Sequence, residues 1–149
     1  MKYKLITISL LFISTSLFSQ RFFDKVVDSE WKGTGTLMKN PSNFTMHWTR
    51  ALKKKFFKLE FANNFITSEA YYTVANDSIV EGYWFDTRGT HFPLKGTVSD
   101  NKLEIFWGST TTEQGKTVYT MNDNTIEVID YVLSNNKYAQ FGNASYKKQ

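Results

Sequence analysis

The stretch Phe44 to Phe61, FTMHWTRALKKKFFKLEF, decides how this chain folds. Phe44, Met46, Trp48 and Arg50 alternate with Thr45, His47 and Thr49; beyond a polar tip at Lys53 and Lys54, Phe57, Leu59 and Phe61 alternate with Lys58 and Glu60. A period of two sends successive side chains to opposite faces of a strand. The stretch therefore reads as a β-hairpin with one apolar face turned to a core and one polar face turned to water.

The same pattern extends in both directions. Upstream, Trp31, Gly33, Gly35 and Leu37 share the inner face of a strand predicted over Trp31–Lys39, and its glycines allow the sharp bend that barrels need. Asn40, Pro41, Ser42 and Asn43 read as the turn that follows. Downstream, strands are predicted over Glu69–Ala75, Ile79–Asp86, Phe92–Ser99, Lys102–Gly108, Lys116–Met121, Thr125–Leu133 and Lys137–Lys147. Asn76-Asp77, Arg88-Gly89, Asp100-Asn101, Glu113 to Gly115, Asn122 to Asn124 and Asn135-Asn136 separate them, turn segments whose Asn, Asp and Gly tolerate the positive φ of tight hairpins. About ten strands joined by short turns make an all-β, up-and-down antiparallel β-barrel; a two-sheet sandwich is the alternative, but it needs longer Greek-key connections. Phe22, Phe23, Val26 and Val27 fall on one side of a short helix within Gln20–Ser29, placed to plug one barrel end.

Met1, Lys2, Tyr3 and Lys4 precede an apolar run from Leu5 to Ile13 and a small-residue exit. This is the pattern of a secretory signal peptide over residues 1–19, leaving 20–149 as one barrel domain in a periplasmic or secreted protein. The sequence has no cysteine, so neither a disulfide nor a lipid anchor is expected, and stability must come from burial and a closed hydrogen-bond ladder. Aromatic residues make up 17% of the chain, enough for a substantial core. Residues 1–20 carry Lys2 and Lys4 and no acid, so the remainder holds 16 basic and 14 acidic side chains, a net charge of +2. That is too weak for a nucleic-acid partner, and the basic run Arg50–Lys58 reads as a solvated hairpin tip. No later apolar run is long enough for an integral membrane helix.

Two segments, Ser29-Glu30-Trp31-Lys32-Gly33-Thr34-Gly35 and Trp84-Phe85-Asp86-Thr87-Arg88-Gly89-Thr90, resemble the lipocalin-like, or calycin, barrels. The first is similar to the Gly-x-Trp-x-Gly-x-Gly opening of small bacterial members, nitrobindin-like proteins among them, with Ser29 in place of the first glycine; the second is similar to a strand end in uncharacterised relatives. The resemblance implies a barrel with an internal cavity, in a superfamily many of whose members carry apolar small molecules. Nitrobindin-like proteins hold haem through a histidine near the chain end. Here no histidine follows His91, so haem is not carried over and no cofactor is expected.

Trp48, Tyr72, Trp84, Trp107 and Tyr119 come from separate strands and form the most ligand-like set, since each ring offers a flat apolar surface with one polar handle; filling a core is their other use. Arg50 follows Met46 and Trp48 by alternation, so an inward guanidinium would pair with Asp86 or with a ligand carboxylate. Asp86 and Arg88 also suit the turn before Gly89-Thr90. His47 points outward by parity and His91 sits in a turn, so no metal-ligand cluster emerges. No catalytic elbow, phosphate loop or dinucleotide fingerprint appears, and no catalytic residue is assigned.

The leading expectation is a barrel that sequesters or carries a small, largely apolar molecule through Trp48, Arg50, Tyr72, Trp84, Asp86, Trp107 and Tyr119. Two other classes stay open: an isomerase- or cyclase-type enzyme using Tyr72, Tyr119, Asp86 and Arg50, and a packed barrel serving as an envelope interaction module. Ligand identity and oligomeric state are not legible.

Overall fold

The computed structural model describes residues 21–149; the segment read as an export signal lies outside the described residues. A single turn of helix, α1 (Phe22–Val26), precedes ten antiparallel strands: β1 (Ser29–Leu37), β2 (Asn40–Ala51), β3 (Phe56–Asn63), β4 (Thr67–Ala75), β5 (Ile79–Asp86), β6 (His91–Val98), β7 (Lys102–Trp107), β8 (Gly115–Asn122), β9 (Thr125–Ser134) and β10 (Lys137–Lys148). Each strand pairs with the next, and β10 returns to pair with β1 from Trp31↔Lys148 to Leu37↔Gly142, closing an up-and-down barrel without a sheet edge. The sandwich alternative is thereby excluded.

The first turn differs from the expected one. Met38 and Lys39, both at positive φ (49° and 67°), reverse the chain, and Asn40 to Asn43 already belong to β2. Pro41 is tolerated there because β3 joins β2 only from Phe44 onward, which leaves this end of β2 with a strand on one side only. Closure of the barrel depends on Gly35. A Cβ at that position would come within 2.0 Å of the Asn143 carbonyl oxygen across the β1–β10 seam.

The inner face carries the core: Trp31, Phe44, Met46, Trp48, Leu59, Ala70, Tyr72, Val80, Leu94, Leu103, Ile105, Ile126, Val128, Ala144 and Tyr146 are all buried. The outer face is mostly polar, with Tyr83, Phe85, Phe106 and Tyr138 exposed on it. His47 Nδ1 lies 3.1 Å from Glu60, Lys58 bridges Glu60 and Glu69 at 2.9 and 2.8 Å, and Lys116 reaches Glu104 at 3.0 Å. No described helix is long and apolar enough to cross a membrane.

One end of the barrel is plugged. A five-residue helix has no stability of its own, and α1 is held by burial of Phe22, Phe23 and Val26, each worth roughly 1.5–3 kcal/mol. Polar contacts orient it: the Phe22 amide donates to the Ser99 carbonyl (3.0 Å), the Asp28 amide to that of Trp48 (2.8 Å), and Lys25 Nζ to that of Asp100 (2.7 Å). Ser29 Oγ donates to the Val26 carbonyl and accepts from Trp31 Nε1 at 2.8 Å, tying the helix exit to the first strand.

Candidate functional site

The expected aromatic set divides between the two barrel ends. Trp48, Tyr72 and Tyr119 belong to the plugged end, where α1 takes up the space between them. Phe22 stands 6.0 Å from both Trp48 and Tyr119, and Phe23 stands 5.8 Å from Trp48 and 5.7 Å from Tyr72. Burial pushes the Tyr72 and Tyr119 phenols well above their usual range, so both stay neutral. In this half of the barrel the rings are core.

Arg50 belongs to the same end and does not meet Asp86. Its guanidinium donates to Asp24 of α1 at 2.8 Å and lies 4.6 Å over the Phe57 ring, which stacks on Phe23 at 4.4 Å and 11°. Arg50 thus anchors the plug, and the expected pairing with Asp86 or a ligand carboxylate gives way to this one. The physical reason is distance along the strand: Arg50 ends β2 at the plugged end, whereas Asp86 ends β5 at the other.

Asp86 accepts from the Arg88 amide at 2.9 Å, from the Arg88 guanidinium at 2.6 Å and from Trp84 Nε1 at 3.1 Å. Desolvation would raise its pKa, but these donors outweigh that effect and hold it below the usual carboxylate range. Its side chain is 0% exposed against 53% for Arg88, so the carboxylate is covered and satisfied. It latches the β5–β6 turn and fixes the Trp84 indole.

Among the described residues no helix caps the second end. Leu37, Phe61, Trp84 and Trp107 follow the inward phase of their strands and pack against the core, yet each keeps water-accessible surface, unlike the inward rings beside α1. Phe61 stands 5.7 Å from Trp84 and 6.2 Å from Phe44, and Trp107 stands 5.5 Å from Phe92, the cross-strand partner of Trp84, and 6.5 Å from Phe141. Trp107 lies against Gly115, where a Cβ would come within 2.2 Å of the indole.

Polar groups gather at this mouth. Ser42 and Ser68 are buried on the inward phase of β2 and β4, and neither hydroxyl has a hydrogen-bond partner. Across the barrel, Asp130 of β9 accepts from Thr117 Oγ1 of β8 at 2.6 Å, and its second oxygen lies 3.2 Å from the position of a Cβ on Gly142 of β10. Burial raises the Asp130 pKa, against the smaller effect of the Thr117 hydrogen bond.

Asp130, Thr117, Ser42, Ser68 and Phe61 were not singled out from the sequence as site residues. Asp130 was readable in principle, because it shares the inward parity of Ile126 and Val128. Ser42 was hidden by the misplaced turn. Among the described residues no three His, Asp or Glu side chains gather as metal ligands. Two shallow surface depressions of about 390 Å³ each flank the barrel ends, one lined by Met38, Lys39, Phe141 and Gly142 beside the mouth, the other by Lys25, Asn101 and Asp123 beside the plug.

No family model and no curated protein matches this chain.

Proposed function

We propose that the chain is an exported, lipocalin-like binding barrel, periplasmic or secreted, that takes one small and largely apolar molecule into the lumen at the end opposite α1. One observation carries the reading: Phe61, Trp84 and Trp107 face the barrel axis and still present surface to water. Binding releases water from these rings, at about 25 cal/mol per Å² of apolar area covered; the Ser42 and Ser68 hydroxyls, buried on the inward phase, have no hydrogen-bond partner among the described residues. The short N-terminal run of charged, apolar and small residues supports export, and the two glycine-containing segments support the superfamily resemblance.

The site differs from the first expectation in position. Trp84 and Trp107 stay in it, whereas Trp48, Tyr72, Tyr119 and Arg50 form the floor and its anchor. Titration of the protein with neutral 1-naphthylmethanol, followed by tryptophan emission, tests the reading. A saturable change with one site per barrel is expected; a strictly linear response would overturn it.

A second reading has its own observation. Asp130 is a carboxylate with a raised pKa beside a hydroxyl, the arrangement an acid–base isomerase requires. This reading places Asp130 where Asp86 and Arg50 had been expected. It requires turnover of a carbonyl or epoxide compound that disappears in Asp130→Asn, and absence of turnover across such a panel leaves binding as the function.

A further inference from the structure

The exposed apolar side chains are unevenly placed along the barrel axis. Met38 and Phe65, 70% and 68% exposed, stand on the β1–β2 and β3–β4 turns, at the end opposite α1. Phe85, Phe106 and Tyr138 point outward one residue from that end of β5, β7 and β10, and Tyr83 stacks on Phe85 with ring centroids 6.4 Å apart. Each hairpin that turns at this end therefore carries an exposed apolar side chain. Of the exposed large apolar residues described, only Leu52 and Ile79 belong to the plugged end.

Unpaired positive charge accompanies this collar. Lys39, next to Met38, and Lys137, next to Tyr138, form no ion pair among the described residues. The acids near them face other partners. Asp86 is bound to Arg88, whose charge Glu113 also meets; Glu69 and Glu104 are bound to Lys58 and Lys116; Asp130 accepts from Thr117 on the inner face. At the plugged end Lys53, Lys54 and Lys55 are exposed as well, but Asp28, Asp100 and Asp123 accompany them and no apolar collar surrounds them.

Apolar surface kept in water marks a face that meets a protein or a membrane. A globular partner covers one side of a ring, whereas a bilayer meets its whole circumference. Aromatic rings settle at the headgroup level of a bilayer, and lysines beside them are drawn to anionic lipid.

Resting on the binding reading above, we propose that the barrel docks on an anionic phospholipid bilayer by the end opposite α1, so that the lumen exchanges its apolar ligand with the lipid phase. Met38, Phe65 and the aromatic collar enter the headgroup layer, and Lys39 and Lys137 meet the lipid phosphates.

The chain has no cysteine, so a single introduced one can carry a polarity-sensitive fluorophore. Asn64→Cys places it beside Phe65, and Ser78→Cys places it at the plugged end, both at exposed positions. Vesicles of phosphatidylcholine mixed with phosphatidylglycerol should blue-shift the label at position 64 saturably, and phosphatidylcholine alone should bind at least about tenfold more weakly. Met38→Asn with Phe65→Ser, or Lys39→Gln with Lys137→Gln, should each weaken binding at least about fivefold, whereas joint replacement of Lys53, Lys54 and Lys55 by Gln should change it less than about threefold. All these side chains are exposed, so the fold does not rest on them. A label at position 64 that stays unshifted while the one at position 78 responds, or no response at either, overturns the proposal. A shift that grows with protein concentration in the absence of vesicles assigns the collar to a second copy of the chain and also overturns it. Docking is read without a lumen ligand, so its failure leaves the 1-naphthylmethanol test of the binding reading standing.

Discussion

Replacing Phe23 by alanine tests how the plugged end is built. The Phe23 ring is 1% exposed and stacks on Phe57 at 4.4 Å, with Trp48 and Tyr72 within 6 Å. Removing it forfeits roughly 1.5–3 kcal/mol of apolar transfer and about 0.5–1.5 kcal/mol for the aromatic stack. It also leaves a void that strand-borne rings cannot collapse to fill. The sum is roughly 3–5 kcal/mol, the usual range for a buried Phe→Ala change, and a large share of the 5–15 kcal/mol that typically holds a domain together. Urea unfolding, followed by tryptophan emission, measures it. Phe23→Leu should cost less than half as much, because most of the apolar volume remains. A loss below about 1 kcal/mol for Phe23→Ala would refute the reasoning, since it would mean that α1 is not part of the core.

Three further changes probe other parts of the fold. Arg50→Ala should cost at most about 1 kcal/mol through its ion pair, because Arg50 and Asp24 are 32% and 45% exposed, and a double-mutant cycle with Asp24→Ala isolates that share from the packing on Phe57. Gly35→Ala should cost at least about 2 kcal/mol and speed amide exchange along β1 and β10, because its Cβ would meet the Asn143 carbonyl oxygen at 2.0 Å. Asp130→Asn should stabilise the ligand-free barrel near neutral pH. The folded-state pKa of Asp130 is raised, so its ionisation penalises the native state above that pKa, and the penalty vanishes below the unfolded value near 3.9. The stability gap between variant and wild type, from urea titrations across pH, should therefore close as pH falls through that window. Glu60 and Glu69, held low chiefly by Lys58, act with the opposite sign, their contribution being lost at acid pH, but equally in both proteins.

Architecture was largely legible because strand parity is a local signal. Phe44, Met46 and Trp48 had to share a face whatever the rest of the chain did, and the Asn- and Asp-rich separators located most of the hairpins. The short helix, too, followed from the spacing of Phe22, Phe23 and Val26. Parity fixes the face of a residue but not its height in the barrel. Trp48 and Trp84 share the inner face, yet only one lies against α1, since height depends on the registers of ten strands and on where the helix docks. Arg50 found Asp24 for the same reason, a partner 26 residues away that no motif announces. The turn at Met38 and Lys39 was missed because Asn40 and Pro41 are stronger turn formers by type, and their place in β2 is allowed only where β3 has not yet joined.

The four tryptophans allow the central claim to be tested directly. Trp31 and Trp48 are buried near α1, whereas Trp84 and Trp107 line the opposite mouth. In nitrogen-15 labelled protein, the four indole N–H resonances should be followed during titration with 1-naphthylmethanol. The account predicts saturable shifts of the Trp84 and Trp107 signals while those of Trp31 and Trp48 stay nearly still. Shifts confined to Trp31 and Trp48, or none at all at saturating probe, would contradict it.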